Sequence, residues 1–589
     1  VRIAVIKRKE CIAPSECDYV CQKVCPVVRA GKDCIAIGPD KKPVIDEGLC
    51  IGCGICIKKC PVSVISVINL PEELKKQALH RYSSNGFKLF REIVPHFGQV
   101  VGILGPNGIG KTTAISILAG LTYPNLGEPG AKPDKKAIIN FFKGTEAQSY
   151  FEKLFKNEIS IAYKPQYVDA IPKEFKGKVI ELFRKIDKTG KIKELAEKFG
   201  ITGILNRDLT QISGGELQRT AIVATILKGA NVMFFDEPSS YLDIKQRLNA
   251  SQIISGIVDD KTSVNVIEHD LIVLDYLSDL IHVMYGKTGV YGVVSHPMSA
   301  KNGINTYLTG FLKDENVRFR EHEIKFQVKP PSTTRLGNVL VKWPAVKKKL
   351  GDFNLKVDSG EMRINEIIGC LGENGTGKTT FAKILAGELK PDSGILDSKI
   401  RISYKPQYIE TKSEETVGDT LRKITKEFGT DEYRYQIIRP LQLDTLMNHK
   451  INSLSGGELQ RVAIAICLSR NADIYLLDEP SAYLDVEQRL LISHAIRDVV
   501  KSKNASALVI DHDLLFLDYI SERLLVFKGQ PSKKGETVGP VSMEEGMNLF
   551  LKEVGITMRR DGQTHRPRIN KKGSVIDREQ KESGKYYYA

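Results

Sequence analysis

The stretch Val100-Val101-Gly102-Ile103-Leu104-Gly105-Pro106-Asn107-Gly108-Ile109-Gly110-Lys111-Thr112 runs from a β-branched apolar segment into G-x4-G-K-T. A helical pattern follows and closes in Leu118-Ala119-Gly120. Strand, glycine loop and helix in that order form a phosphate-binding loop. The glycines let backbone N–H groups face phosphate oxygens, and the helix N-terminus adds positive potential. In such a loop the lysine reaches the β- and γ-phosphates and the first threonine hydroxyl ligates Mg2+. The reading assigns nucleotide binding to Gly105, Asn107, Gly108, Gly110, Lys111, Thr112 and Thr113. It also predicts an α/β fold around a mostly parallel sheet.

The same string recurs as Gly372-Glu373-Asn374-Gly375-Thr376-Gly377-Lys378-Thr379-Thr380, again after an apolar run, Ile367–Leu371. It assigns Gly372, Asn374, Gly375, Gly377, Lys378, Thr379 and Thr380 to a second nucleotide. Downstream the copies stay in step. Tyr163-Lys-Pro-Gln166 returns as Tyr404-Lys-Pro-Gln407, and Ser213-Gly-Gly215-Glu-Leu-Gln-Arg219 as Ser455-Gly-Gly457-Glu-Leu-Gln-Arg461. Asp236-Glu237-Pro returns as Asp478-Glu479-Pro, and Glu268-His269-Asp270 as Asp511-His512-Asp513. An apolar strand ending in Asp-Glu sets two carboxylates beside the phosphates. Asp236 and Asp478 are read as Mg2+ residues, together with Thr112, Thr379, Gln166 and Gln407. Glu237 and Glu479 are read as the residues that polarise the attacking water, and His269 and His512 as hydrogen-bond partners of the γ-phosphate. Positioning and charge stabilisation supply most of the catalysis in such reactions.

The P-loops are offset by 267 residues and the glutamines by 241, so the first copy holds 26 residues more, within about 122–158. The amphipathic pattern of 137–154 predicts a helix–loop–helix arm that binds a partner. Tyr82 and Phe87 lie at a distance from the first P-loop that suits adenine stacking; Trp343 is the nearest aromatic candidate in the second copy.

Upstream of both copies, Cys50, Cys53, Cys56 and Cys60-Pro61 follow C-x2-C-x2-C-x3-C-P, and Cys11, Cys17, Cys21 and Cys25-Pro26 precede them. This is the spacing of a two-cluster ferredoxin-like module. Cys34 falls outside both spacings and is read as a packed thiol, as are Cys370 and Cys467. The rest of the composition is that of a soluble globular chain, 42% hydrophobic and 27% charged over 589 residues. That length implies roughly three to five domains. No apolar run reaches the roughly 18 residues that cross a bilayer, and no signal peptide is visible, which predicts a cytoplasmic protein without a membrane partner. A net charge of +15 suits nucleic acid or acidic partners.

The repeated motifs resemble the ATP-binding cassette (ABC) superfamily, from which the Ser-Gly-Gly-Glu signature excludes other P-loop ATPases. The resemblance implies two composite sites, with Ser455 and Gly457 completing that of Lys111, and Ser213 and Gly215 completing that of Lys378. The whole chain resembles ABC subfamily E, the ribosome-recycling factors also called RNase L inhibitor. Cys25-Pro-Val-Val-Arg-Ala-Gly31 and Leu49-Cys-Ile-Gly-Cys-Gly-Ile-Cys-Ile-Lys-Lys-Cys-Pro61 are close to that family's strings. Two local departures, Val62-Ser63-Val64 and Glu373, are read as neutral.

The architecture implied is an α+β ferredoxin-like domain (1–72) followed by a first ABC domain (73–312) and a basic hinge (313–335). A second ABC domain (336–552) and a basic C-terminal hinge (553–589) complete it. Two 4Fe-4S clusters are expected, with the fourth cysteines exchanged between motifs. One would take Cys11, Cys17, Cys21 and Cys60, the other Cys50, Cys53, Cys56 and Cys25. The implied function is ATP-driven splitting of ribosomes after termination or rescue. The implied partners are the small ribosomal subunit, a release or rescue factor and initiation factors. The implied protein is a monomer with a pseudo-twofold cassette pair, and its compact length leans archaeal. The competing readings are ATP-coupled iron–sulfur electron transfer and energising of a transporter.

Overall fold

A computed structural model describes residues 2–6, 11–15, 17–46, 49–62, 64–69, 77–83, 85–326, 338–394, 400–407 and 413–587. The expected boundary between 72 and 73, and residues 327–335 of the expected hinge, lie outside the described residues. The chain divides into two compact units. One comprises Val1–Pro238, Ile253–Glu268 and Leu277–Glu321; the other comprises Ser239–Gln252, His269–Tyr276 and His322–Ala589.

The first unit begins with a small cysteine-rich body. Strand Arg2–Ile6 pairs antiparallel with Ile65–Asn69, and Ile35–Ile37 pairs with Pro43–Ile45. Of the short helices Val20–Lys23, Pro26–Arg29 and Ile55–Lys59, the first holds Cys21, the second is capped by Cys25, and the third holds Cys56 and ends at Cys60. Its core holds few aliphatic side chains, chiefly Ile6, Ile35, Ile45, Val64 and Ile65, packed among cysteines. So small an apolar core needs covalent or metal reinforcement.

The larger part of this unit is a nine-stranded sheet. At its centre Val100–Leu104 lies parallel to Ser263–Ile267 on one side and Leu280–Lys287 on the other; Val232–Asp236 and Ile161–Lys164 continue the parallel run. The strands before the P-loop and the Asp-Glu pair are buried along their whole length. Unbroken apolar runs are what a sheet covered by helices on both faces requires.

The 26 extra residues supply helices Lys135–Phe141 and Glu146–Phe155. Phe142 stacks on Phe151 with ring centroids 4.6 Å apart, and the Tyr150 hydroxyl donates to Leu118 O at 2.7 Å. The pair therefore sits on the helix that the P-loop opens, Lys111–Leu118. Lys132, Lys135, Lys136, Lys143, Lys153 and Lys156 remain exposed.

The second unit repeats the design in an eight-stranded sheet. Ile367–Leu371 lies between Ser506–Ile510 and Arg523–Gln530, and Ile474–Asp478 and Ile402–Lys405 extend the parallel side. Beyond the last long helix, Met543–Val554, the basic C-terminal segment is folded. Met558–Arg560 pairs with Pro567–Ile569, and helix Val575–Glu582 follows. This is the segment read from the sequence as a basic C-terminal hinge. Arg566 is fully buried, and its guanidinium donates to Asp275 Oδ2 at 3.2 Å. Arg568 grips the same carboxylate with two bonds, 2.6 Å and 3.0 Å.

A buried carboxylate that balances two arginines is expensive to remove, because the charges it leaves behind stay desolvated. Replacing Asp275 with Ala is expected to cost about 3–5 kcal/mol and to lower the thermal midpoint by several degrees in a melting scan. An unchanged midpoint would show that the C-terminal segment is not anchored by this carboxylate.

Candidate functional site

Each P-loop takes its shape from glycines at left-handed positions. Gly110 (φ 100°) caps the helix that begins at Lys111, and a Cβ there would meet Phe87 Cζ at 2.5 Å. Gly377 (φ 100°) does the same before Lys378, where a Cβ would lie 2.7 Å from Leu355 Cδ1 and 3.1 Å from Phe353 Cζ. Only glycine lets the loop close this tightly on the neighbouring strand. Lys111 Nζ donates to Gly105 O (2.8 Å) and Pro106 O (2.9 Å), and Lys378 Nζ to Gly372 O and Glu373 O, both 2.8 Å. The ammonium groups are thereby held over their loops. Burial pulls the Lys378 ammonium below its ordinary value.

The first site gathers Thr112, Gln166, Asp236 and Glu237. Thr112 Oγ1 donates to Asp236 Oδ2 at 3.3 Å, and Gln166 Nε2 to Glu237 Oε1 at 2.7 Å. The second matches it: Gln407 Nε2 donates to Glu479 Oε1 at 2.7 Å, and Thr379 adjoins Asp478. Glu237 and Glu479 adopt φ 48° and 49°, a strained conformation for a residue with a Cβ. Their amides are pinned to Ile267 O and Ile510 O at 3.0 Å and 2.7 Å. Their carbonyls accept from Gln218 and Gln460 of the signature helices, at 2.8 Å and 2.6 Å. Such off-minimum backbone persists only where several contacts over-determine it.

Burial, then the charge of Glu237, raises the Asp236 carboxyl to about 6. Burial raises Asp478 as well. Burial, then the charge of Asp478, raises Glu479 to about 7. Lys164 and Lys405 sit beneath the pairs and donate to both carbonyls, at 2.8 and 3.1 Å and at 2.7 and 3.2 Å. Desolvation brings both ammonium groups down to about 8. Buried carboxylates of raised pKa next to a threonine hydroxyl suit a divalent cation. Both oxygens of Asp478 are buried and accept no hydrogen bond of normal geometry, so the donor set fits Mg2+ at Thr112 with Asp236 and at Thr379 with Asp478.

His512 is buried with Nε2 3.6 Å from Glu479 Oε1, and burial, then Lys378, keeps its imidazole neutral. His269 belongs to the segment assigned to the second unit, where its carbonyl accepts from Arg489 at 3.4 Å. Ser213 and Ser455 are exposed at the N-termini of the 14-residue helices Gly214–Leu227 and Gly456–Ser469, each closed by a reciprocal capping box with Glu216 or Glu458. Gly215 and Gly457 lie in their first turns. The N-terminus of a helix favours an anion.

Tyr82 is 57% exposed, its hydroxyl lies 3.0 Å from that of Thr113, and its ring is 6.5 Å from that of Phe87. Trp343 is not an adenine platform: it is buried in the core, with Nε1 donating to Asp358 O at 3.0 Å. Phe353, against Gly377, is the counterpart of Phe87. The shared spacing Phe-x-Leu (Phe87-Lys-Leu89, Phe353-Asn-Leu355) is the sequence signal for it.

Two more features escaped the sequence reading. Arg247 and Arg489, four residues past Asp243 and Asp485, form ion pairs with Asp270 (2.9 Å) and Asp513, the residues after the two histidines. The repeated Gln-Arg at 246–247 and 488–489 is the signal. Glu373, read as neutral, accepts from Lys245 Nζ at 2.8 Å.

In the cysteine-rich body, Cys21 has Cys17, Cys60 and Cys11 as its electrostatic neighbours, and Cys56 has Cys50, Cys53 and Cys25. Each set mixes the two motifs through its fourth cysteine. Burial raises both thiols to about 11. Cys25, Cys50, Cys53 and Cys56 line one small pocket. Among the described residues no three ligand side chains converge on a single-ion geometry. Four thiols spread around an apolar cavity suit an iron–sulfur cube rather than one ion.

The ABC transporter family matches residues 95–240 and 354–482, and the 4Fe-4S binding domain family matches 43–66. The chain is 52% identical over 592 residues to an uncharacterized ABC transporter ATP-binding protein of Methanocaldococcus jannaschii, covering 100% of this chain and 98% of that one. It is 46% identical to translation initiation factor RLI1 of Saccharomyces cerevisiae, covering 100% and 98%. Among solved structures, ABCE1 in a model of ribosome-bound archaeal Pelota and ABCE1 superposes with TM-score 0.94 at 50% identity, covering 100% of this chain and 99% of that one. Archaeal ribosome recycling factor aABCE1, in a crystal with the ribosomal stalk protein aP1, gives 0.83 at 52%, covering 88% and 100%.

A general base must be ionised to accept a proton, so a carboxyl raised to about 7 loses activity on the acid side. With the first site silenced by Glu237→Gln, kcat/KM for ATP is expected to fall about tenfold per pH unit below about pH 7. Glu479→Gln should remove that activity. A profile that stays flat to about pH 5.5 would reject Glu479 as the base.

Proposed function

Because this chain belongs to the ABC subfamily E, or RNase L inhibitor, family, we propose that it is an ATP-driven ribosome recycling factor. It binds the small ribosomal subunit and splits ribosomes after termination or rescue. Its chemistry is ATP hydrolysis of the ABC type. The observation that carries the reading is the full-length likeness to an ABCE1 described as ribosome-bound together with Pelota.

The residues divide the work as follows. Lys111 and Lys378 neutralise the β/γ-phosphates, while Thr112 with Asp236, and Thr379 with Asp478, hold Mg2+. The bound Mg2+ supplies charge neutralisation for the transferring phosphoryl group. Glu237 and Glu479 orient and deprotonate water, and Gln166 and Gln407 fix those carboxylates. Neutral His512 donates to the γ-phosphate, and His269 takes the equivalent role. Phe87 with Tyr82, and Phe353, support the bases.

The 135–155 helix pair sits on the P-loop helix with its lysines outward, so it is suited to carry nucleotide-dependent movement to ribosomal RNA phosphates. Two 4Fe-4S clusters, on Cys11, Cys17, Cys21 and Cys60 and on Cys25, Cys50, Cys53 and Cys56, brace a domain whose apolar core is too small to be rigid alone. The protein works in the cytoplasm as a monomer, beside a release or rescue factor.

Co-sedimentation of the cluster-loaded protein with ribosomal subunits tests this reading. Pelleting with the small subunit is expected with a non-hydrolysable ATP analogue and to be lost with ADP. The Glu237→Gln, Glu479→Gln double variant should pellet with ATP itself. No association in any nucleotide state would overturn it.

A further inference from the structure

Cys34 belongs to neither cluster motif, yet it is 1% exposed and lines the cavity formed by Cys25, Cys50, Cys53 and Cys56. It shares that lining with Cys25 and Cys50. Its backbone is linked to that of Cys50 through Asp46. Asp46 N donates to Cys34 O at 2.8 Å, and Cys50 N donates to Asp46 O at 2.9 Å. The rest of the lining is apolar, from Val27, Ile35, Ile45 and Ile51. A cubane takes four thiolates, and this cavity presents five thiols.

We propose that Cys34 is a reserve ligand of the second cluster, able to take over the iron site of Cys25 or Cys50. The inference rests on the two-cluster reading above and deepens it. The step is a ligand exchange: the Fe–S bond to Cys25 breaks, an Fe–S bond to Cys34 forms, and the proton of the Cys34 thiol passes to the departing Cys25 thiolate. Iron and sulfur keep their oxidation states. The exchange keeps four thiolates on the cluster when a primary ligand leaves it.

The test uses the full chain, reconstituted anaerobically with iron and sulfide. The readouts are iron content and the electron paramagnetic resonance spectrum of the reduced protein. Wild type and Cys34→Ala should each hold about eight irons. Cys25→Ser alone should keep the second cluster with an altered spectrum, and Cys25→Ser with Cys34→Ala should fall to about four irons. Cys50→Ser, with and without Cys34→Ala, repeats the comparison independently, and the first cluster's signal verifies folding in every variant. Loss of the second cluster in both Cys25→Ser and Cys50→Ser while Cys34 is intact would overturn the reserve role. A wild-type chain that takes up only one cluster would instead overturn the two-cluster reading, and the inference with it.

Discussion

The two ATP sites depend on a pair of carboxylates held out of water at the end of a buried strand. Asp236-Glu237 and Asp478-Glu479 each set adjacent carboxylates in a poorly solvated place, and burial raises Asp236, Asp478 and Glu479 above the ordinary carboxylate range. Left alone, such a pair would protonate or distort the strand. Four fixed contacts prevent that: a lysine below each pair, a glutamine on each glutamate, a pinned amide, and a carbonyl bonded to the signature helix. The strain of the left-handed glutamate is of order 1–3 kcal/mol, and it turns the carboxylate out of the sheet edge. The sheet, the P-loop helix and the signature helix all meet at this turn, so its geometry sets theirs.

The copies are similar in this machinery and different around it. The first carries Tyr82 beside Thr113 and a helix pair packed on its P-loop helix. The second has a hairpin strand reading Val346-Lys-Lys-Lys-Leu350 where an aromatic would stand, and a P-loop glutamate paired with Lys245. The surroundings of the two P-loops therefore differ chemically, while the carboxylate pairs do not.

Much of this was legible in the chain itself because local patterns carry it. G-x4-G-K-T after an apolar strand fixes a loop through glycine conformations, and Asp-Glu at a strand end needs no distant partner to be recognised. What escaped depends on tertiary contact. Trp343 looked like an aromatic platform, but nothing in its neighbours reveals that Asp358 draws its indole into the core. Phe353 was overlooked because it follows a lysine-rich run rather than an aromatic one. In the basic C-terminal segment, the carboxylate partner of buried Arg566 is Asp275, nearly 300 residues away. Cys34 fell outside both spacings, yet chain folding carries it to the thiols it was set apart from.

The proposed function joins the small cysteine-rich body and the two cassettes in one account, in which ATP chemistry drives the splitting of ribosomes. The most direct measurement is light scattering of ribosomes mixed with a release factor and the cluster-loaded protein. With ATP, scattering falls as subunits separate; with ADP, or with the glutamine variants at 237 and 479 and no further turnover, ribosomes are not repeatedly split. Scattering unchanged by ATP would contradict the account at its centre.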